Sequence, residues 1–305
     1  MEKNIDLVIP MVFPQDADWL SDYRRYHGDD ACANVRFRSW GTEELLVRCC
    51  MKYMPWLRTI HILLARESQV QPWMSRYDKV HIVFHRDFIP EKYLPCFSSP
   101  CIEMFLGRIP GLSERFVYAN DDMFPLSPLQ PSDFFLDGRP CVHFKEKLFP
   151  DVPNIFHRKC LNQQNMIGRP FGKHYVRTWL TTGHSYAPIL RSACEAVWQR
   201  HGEEIERWMS PLVRNEHSFN QYIYLLYQHF AGLDIDHAPR MQYADEDTPT
   251  ADLPALINDP MAGVVCLNDN EAIADWESRA KLVRETITAK LCGRTTAKRT
   301  VCMGT

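Results

Sequence analysis

Arg115-Phe116-Val117-Tyr118-Ala119-Asn120-Asp121-Asp122-Met123-Phe124 is the stretch on which the reading of this chain turns. Phe116 to Tyr118 has the character of a short buried strand, and it runs straight into an amide and two adjacent carboxylates. Adjacent acids repel, so a strand end that carries them calls for a compensating cation. Hard divalent ions take oxygen ligands and are commonly held by one or two carboxylates together with substrate phosphates. In open α/β sheets, ligands bind at the carboxyl ends of the strands. A polar turn or a helix cap would use the same residue types, so the neighbouring segments have to decide.

Those segments alternate strand and helix signals. Ile5 to Ile9 reads as a strand stopped by Pro10, and Thr59 to Leu64 and Val80 to Phe84 are further β-type runs. Thr42-Glu43-Glu44 reads as a helix start, with a hydroxyl at the cap and acids in the first turn. Cys101 to Ile109 reads as a helix closed by Pro110-Gly111. Such alternation predicts an α/β fold, a Rossmann-like nucleotide-binding core with a mostly parallel sheet and without a Gly-rich phosphate loop. Beyond Pro125, Pro128 and Pro131 the pattern changes. A short β segment is expected at Cys141 to Phe144, helices from about Tyr186, and a buried helix over Glu216 to Phe230. Gly263 to Leu267 then reads as a strand delivering Asn268-Asp269-Asn270, a second acidic strand end, before a charged helix over Glu271 to Leu291.

Composition sets the outer bounds. The 305 residues are 45% hydrophobic and 24% charged, ordinary for a globular chain. A net charge of -3 shows no nucleic-acid footprint. No run approaches the roughly 18 apolar residues of a membrane span, and Met1 to Asn4 lacks a signal-peptide layout. The 11 cysteines are scattered, with Cys49 and Cys50 adjacent, which predicts buried thiols in a reducing cytoplasm rather than a disulfide framework. A cytoplasmic protein is therefore expected. Lys290, Arg294, Lys298 and Arg299 make the end basic, so any membrane association at the inner face of the cell membrane would be peripheral.

If the last strand returns to the same sheet, Asn268 and Asp269 share a rim with Asn120, Asp121 and Asp122. Together they would form a platform for Mg²⁺ or Mn²⁺ and a phosphate. Arg36, Arg38, Arg48, Arg108, Arg191 and Arg214 are the candidate cations, because a guanidinium fork can bind phosphate oxygens in pairs. His184, following Gly183 in a loop, is the candidate general base.

Several of these pieces also match a known family. Arg36-Phe37-Arg38, Trp40-Gly41-Thr42, Tyr53-Met54-Pro55-Trp56, Leu94 to Ser99, Ile102-Glu103, Arg108 to Glu114 and Asn120 to Phe124 stand in one order. With Val265 to Asn270 and the looser stretches at Gly183-His184 and Arg214 to Tyr222, the chain resembles the Stealth family of sugar-1-phosphate transferases. That family includes bacterial capsular polysaccharide phosphotransferases and the catalytic subunit of the lysosomal-enzyme N-acetylglucosamine-1-phosphotransferase. The first block departs from the pattern, since Phe13-Pro14 replaces the usual Asp/Asn-Gly pair and only the later acid, Asp16, remains. Gly107 stands where the family commonly has histidine.

The resemblance implies one catalytic domain over 1–305. Residues 1–125 and 255–291 would form the α/β core, 126–254 a mainly helical insertion and 292–305 a basic tail. It implies transfer of sugar-1-phosphate from a UDP-sugar donor to a hydroxyl of a glycan or polysaccharide acceptor, releasing UMP. Asp121, Asp122, Asn268 and Asp269 would hold the metal. His184, Arg191 and Arg214 would act with those acids at the reacting phosphate, and Asp16, Arg36, Arg38, Arg48, Ser99, Arg108 and Asn120 at the donor. Two alternatives stay open: a metal-dependent glycosyltransferase releasing UDP, and a catalytically silent sugar-binding homologue, which Phe13-Pro14 would favour.

Overall fold

A computed structural model of the chain describes residues 4–28, 37–269, 273 and 275–293. Its strands are β1 Ile5–Pro10, β2 Ile60–Leu64, β3 Val80–Phe84, β4 Arg115–Tyr118, β5 Met123–Pro125, β6 Phe135–Leu136, β7 Arg139–Pro140, β8 Lys145–Leu148, β9 Thr178–Thr181, β10 Ala187–Leu190, β11 Met241–Ala244 and β12 Val264–Leu267. The helices are α1 Ala17–His27, α2 Glu43–Tyr53, α3 His85–Phe88, α4 Ser99–Met104, α5 Ile155–Gly168, α6 Arg191–Trp208, α7 Tyr222–Phe230, α8 Leu253–Asn258 and α9 Trp276–Leu291.

The main sheet has the order β10-β4-β1-β2-β3. The pairs β1–β4, β1–β2 and β2–β3 are parallel, and β10 alone runs antiparallel, along the outer edge of β4. The expected α/β core with a mostly parallel sheet is present. Successive β1 side chains leave opposite faces. Ile5, Leu7 and Ile9 enter a core shared with α2, α8 and α9, whereas Val8 enters one shared with α4, α6 and α7. Burial on both faces explains why β1, β2 and β4 read as mostly apolar runs, and the polar Asp6 and His61 among them are buried and bonded to each other.

Some local readings differ from the structure. The helix expected over Cys101 to Ile109 starts earlier, at Ser99, because Pro100 is tolerated in a first turn. It ends at Met104, ahead of a 3₁₀ turn at Leu106–Arg108. Helix was expected from Tyr186, but Ala187–Leu190 is an edge strand, a position that tolerates Pro188 with its missing N–H. The β segment expected at Cys141 to Phe144 is a single bridge from Cys141 to Ile235, and the strand proper is β8. Glu216 to Gln221 is not helical: Asn215 and Ser218 close a turn with their side chains, so the helix begins at Tyr222. Thr42 takes the cap position of α2 without a side-chain bond, and the Ser39 hydroxyl donates to Glu43 instead. The last helix is described from Trp276.

The strand Val264–Leu267 does not return to the main sheet. It joins a smaller sheet of order β11-β12-β5, antiparallel to β5 and parallel to β11. Because β5 follows directly on Asp122, the Leu267 N–H reaches the Asp122 carbonyl at 2.9 Å. The two acidic strand ends therefore meet, but through the small sheet. Residues 126–254, expected to be mainly helical, hold α5, α6 and α7 together with β6 to β11, and the edge strand β10 of the main sheet is among them.

Candidate active site

In the order β3-β2-β1-β4 the chain turns to opposite sides of β1, which leaves a crevice outside the carboxyl ends of β1 and β4. A cleft of about 390 Å³ lies there, floored by Pro10, Met11 and Val12 from the end of β1 and by Asn120, Asp121 and Asp122 from the end of β4. Asn268 and Asp269 line it from the end of β12, and His184, Lys159 and Arg214 from the segment between the acidic ends.

The acids are partly buried side by side. Burial, then the neighbouring Asp122 and Glu43, push the Asp121 carboxyl up to about 7. Burial also raises Asp122, against the opposing pull of His184 and the Cys266 thiol. The Asp122 Oδ1 is buried without a hydrogen-bond partner, while Oδ2 accepts from Cys266 Sγ at 3.6 Å. An unpartnered carboxylate oxygen beside a second repelled acid is the arrangement that a divalent cation relieves. One donor atom each of Asp122, His184 and Cys266 lie within 4.8 Å of one another. Burial and Asp122 push the Cys266 thiol up, which leaves the Asp122 carboxylate and the His184 imidazole of this group, with Asp121 beside them, and the paired carboxylates fit a hard ion such as Mg²⁺ or Mn²⁺.

The raised Asp121 has a consequence for stability. The unfolded carboxyl releases its proton near pH ~4, while the native one keeps it to about 7. Across that interval the native state binds more protons, so stability falls as pH rises and levels off above the native value. Asp121→Asn removes that decline. Without divalent ions, its thermal midpoint is expected to gain on the parent's progressively between pH 5 and 8. The gain would be on the order of 2–4 kcal/mol at the upper end. Parallel melting profiles for the two proteins would refute the assignment.

Not every expected residue arrives. Arg214 does: its Nη2 donates to Ser99 Oγ at 2.6 Å, which places both at the cleft. His184 stands with its Nε2 3.3 Å from Asn120 Nδ2. Arg38 is near, but its guanidinium grips Asp269 with both prongs, Nε at 2.9 Å from Oδ2, and lies 4.4 Å from the Trp276 ring. Arg38 therefore orders the second acidic end, and Asp269 is an ion-pair partner before it is a metal ligand. Asp16 caps α1, accepting from the Trp19 N–H at 2.6 Å, and does not line the cleft.

Arg48, Arg108 and Arg191 also stay outside the cleft. Arg48 is more than a turn along α2 from the cleft-side Glu43. Arg108 lies over the rings of Phe105 and Trp198, at 5.1 and 5.0 Å. Arg191 faces Glu195 at 3.6 Å. The antiparallel course of β10 explains the split between His184 and Arg191. Ala187 pairs with Tyr118 at the acidic end of β4, and Leu190 pairs with Arg115 at the opposite end. Arg191 therefore leaves the sheet roughly 15–20 Å from the acids at strand rise. Arg36 and Asn270 lie outside the described residues.

The departures from the family pattern have structural settings. Phe13 packs in the core, and its carbonyl accepts from the Asp16 N–H and Gln69 Nε2, so Phe13-Pro14 builds the turn into α1. Met11 and Val12, not Phe13, face the cleft. At Gly107 an added Cβ would lie 2.7 Å from the Cβ of Cys194 on α6, a spacing that no side chain tolerates.

Lys159 and Glu103 line the cleft without having been assigned a site role, Glu103 having been noted only as part of the resemblance. Lys159 Nζ lies 5.6 Å from the Phe156 ring on α5, a helix that sequence periodicity does not announce. Glu103 is a buried acid within the apolar α4, and that mismatch was the available signal. It accepts from the Tyr118 hydroxyl at 3.0 Å and the Gln221 N–H at 2.9 Å, and burial raises its carboxyl.

The fold and cleft define an α/β protein with an acidic strand-end site facing cations, a class suited to phosphorylated ligands. Residues 36–141 match the model of Stealth protein CR2, conserved region 2. The exopolysaccharide phosphotransferase cps2G of Lactiplantibacillus plantarum is 28% identical over 94% of this chain and 94% of its own. The capsular polysaccharide phosphotransferase cps1A of Actinobacillus pleuropneumoniae is 30% identical over 72% of this chain, which spans 63% of that relative. The chain thus carries Stealth conserved region 2 and is similar along nearly its whole length to a polysaccharide phosphotransferase. A solved galactosyltransferase, LgtC, with donor and acceptor sugar analogues overlaps 96% of this chain and 98% of its own, at TM-score 0.42 and 12% identity.

Proposed function

We propose that this protein transfers sugar-1-phosphate from a UDP-sugar to a hydroxyl of a glycan acceptor, in capsular or exopolysaccharide synthesis. The reading rests first on the likeness to polysaccharide phosphotransferases along nearly the whole chain. The observation that carries it to a mechanism is the crevice, which gathers acids from β4 and β12, His184 before β10, Lys159 on α5 and Arg214 before α7. Since residues between 126 and 254 supply all three of the latter, the chain is read as one catalytic domain.

Asp121, Asp122 and Asn268 are the oxygen donors for Mg²⁺ or Mn²⁺. Such an ion, when bound, offsets the charge of the donor diphosphate. The Arg214 guanidinium, steadied by Ser99, and the Lys159 ammonium line the same cleft as the acids and would hold the phosphoryl oxygens of the sugar phosphate. With the Asn120 amide donating, His184 Nε2 is the lone-pair atom of a ring protonated at Nδ1. An acceptor hydroxyl that displaces this amide would pass its proton to Nε2. Its oxygen would bond to the sugar-bearing phosphorus as the bond between the two phosphates breaks, and UMP would depart.

The test is chromatography of nucleotide released from a panel of UDP-sugars, with Mg²⁺ and crude acceptor glycan. Acceptor-dependent UMP is the expected product. Release of UDP would show that the sugar–oxygen bond breaks instead, as in an ordinary glycosyltransferase. Tight UDP-sugar binding without turnover would show a binding homologue. Either outcome overturns the proposal.

A further inference from the structure

The three most exposed large apolar side chains among the described residues are Val152 (89%), Leu148 (80%) and, excepting none, Val176 (67%). They stand in neighbouring segments, Leu148 at the end of β8, Val152 in the loop after it and Val176 two residues before β9. Leu148 ends β8 and pairs with Thr178 of β9, and the Phe149 N–H donates to the Arg177 carbonyl at 2.8 Å. The loop from Phe149 to Asn154 then enters α5, where Ile155 and Phe156 are also exposed. Phe156 packs on Trp179 of β9 at 5.8 Å, and Phe149 on His157 at 6.3 Å, which fastens the loop, the hairpin and the helix start together. Folding leaves these aliphatic tips in water, a loss that another surface could recover.

The charges around them indicate which surface. Lys145, Lys147, Arg158, Lys173 and Arg177 are exposed in the same segments, with only Glu146 and Asp151 as acids, in a chain of net charge -3. Arg158 shares its charge with Glu216 at 3.5 Å. Aliphatic tips in segments this rich in exposed lysine and arginine match a lipid interface with anionic headgroups, where the tips enter the acyl boundary and the cations meet phosphate. A second copy of the chain would bring the same cations against one another. A sugar is gripped by hydrogen bonds and ring faces rather than by valine.

We infer that the β8–β9 hairpin and the start of α5 form a docking surface for an anionic membrane. Phe156 and Lys159, on the cleft side of this helix, line the crevice, so docking would set its mouth toward the lipid surface. The inference does not depend on the proposed reaction, because docking is measured without substrate.

The experiment is co-sedimentation of the full chain with vesicles of phosphatidylcholine alone or mixed with phosphatidylglycerol. Binding to the mixed vesicles, weakened by salt, is expected. Val152→Asp with Leu148→Asp, or Lys145→Glu with Lys147→Glu, should each lower the partition coefficient by about tenfold or more. These side chains are exposed, and an unchanged melting curve identifies variants that are folded. Failure of the parent to bind anionic vesicles at low salt overturns the inference. So does parent-like binding by folded variants, which would place membrane contact elsewhere on the chain. A concentration-dependent dimer that Val152→Asp abolishes would assign the surface to self-association and overturn it as well.

Discussion

Asp122→Asn is expected to lower turnover about 10³-fold or more, equivalent to about 4 kcal/mol of transition-state stabilisation. The substitution keeps the side-chain volume and removes the charge from the oxygen that is buried without a partner. Asn also replaces one lone-pair oxygen by an amide that cannot serve a hard cation. A second readout separates metal binding from chemistry. Mn²⁺ should raise the melting temperature of the parent, whereas Asp122→Asn should show little or none of that rise. Near-native turnover with an ordinary Mg²⁺ dependence would sink the assignment of this carboxylate.

The largest loss of stability is expected at the other end of β1. Asp6 is fully buried, and it accepts from Arg58 Nε at 2.7 Å, from the Ser113 N–H at 2.8 Å and from His61 Nε2 at 3.2 Å. It thus ties β1 to the start of β2 and to the turn that precedes β4. Burial raises the carboxyl, but the Arg58, His61 and Ser113 bonds outweigh it and hold the group well below the usual range. Asp6→Ala leaves the Ser113 N–H and the buried Nε2 of His61 unpaired, at a cost of roughly 3–5 kcal/mol in denaturant unfolding. The sign with pH is fixed by the depressed native value. The contribution is fully present above the unfolded carboxyl's pKa near ~4 and fades as acid is added. The gap between parent and variant should therefore narrow below that pH. A loss under ~1 kcal/mol at neutral pH would show that Arg58, partly in water, carries little of the tie.

Of the main sheet, the four parallel strands were legible as short, mostly apolar runs, whereas the antiparallel edge strand β10 was not. The readings that failed share a different cause. Ala187–Leu190 is helical by local pattern but is recruited to the free edge of β4, and Glu216 to Gln221 is diverted by side-chain bonds at Asn215 and Ser218. Gly107 illustrates the same point at one atom, since its lack of a side chain answers to Cys194, far away in sequence.

From the residues alone come the α/β class and the acidic ends after β4 and β12, whose carboxylates the sequence offers as metal ligands. Each is written in a continuous stretch whose pattern is local. Which cations join those acids was decided only by tertiary structure. Arg191 and His184 stand seven positions apart, and the antiparallel pairing of β10 sends one to the acidic rim and the other to the far end. Arg38 is drawn off by Asp269, and Lys159 is brought in on a helix that had left no signal. Strand direction and partner choice are set by contacts between distant segments, so a residue's side of the sheet is a property of the packed chain.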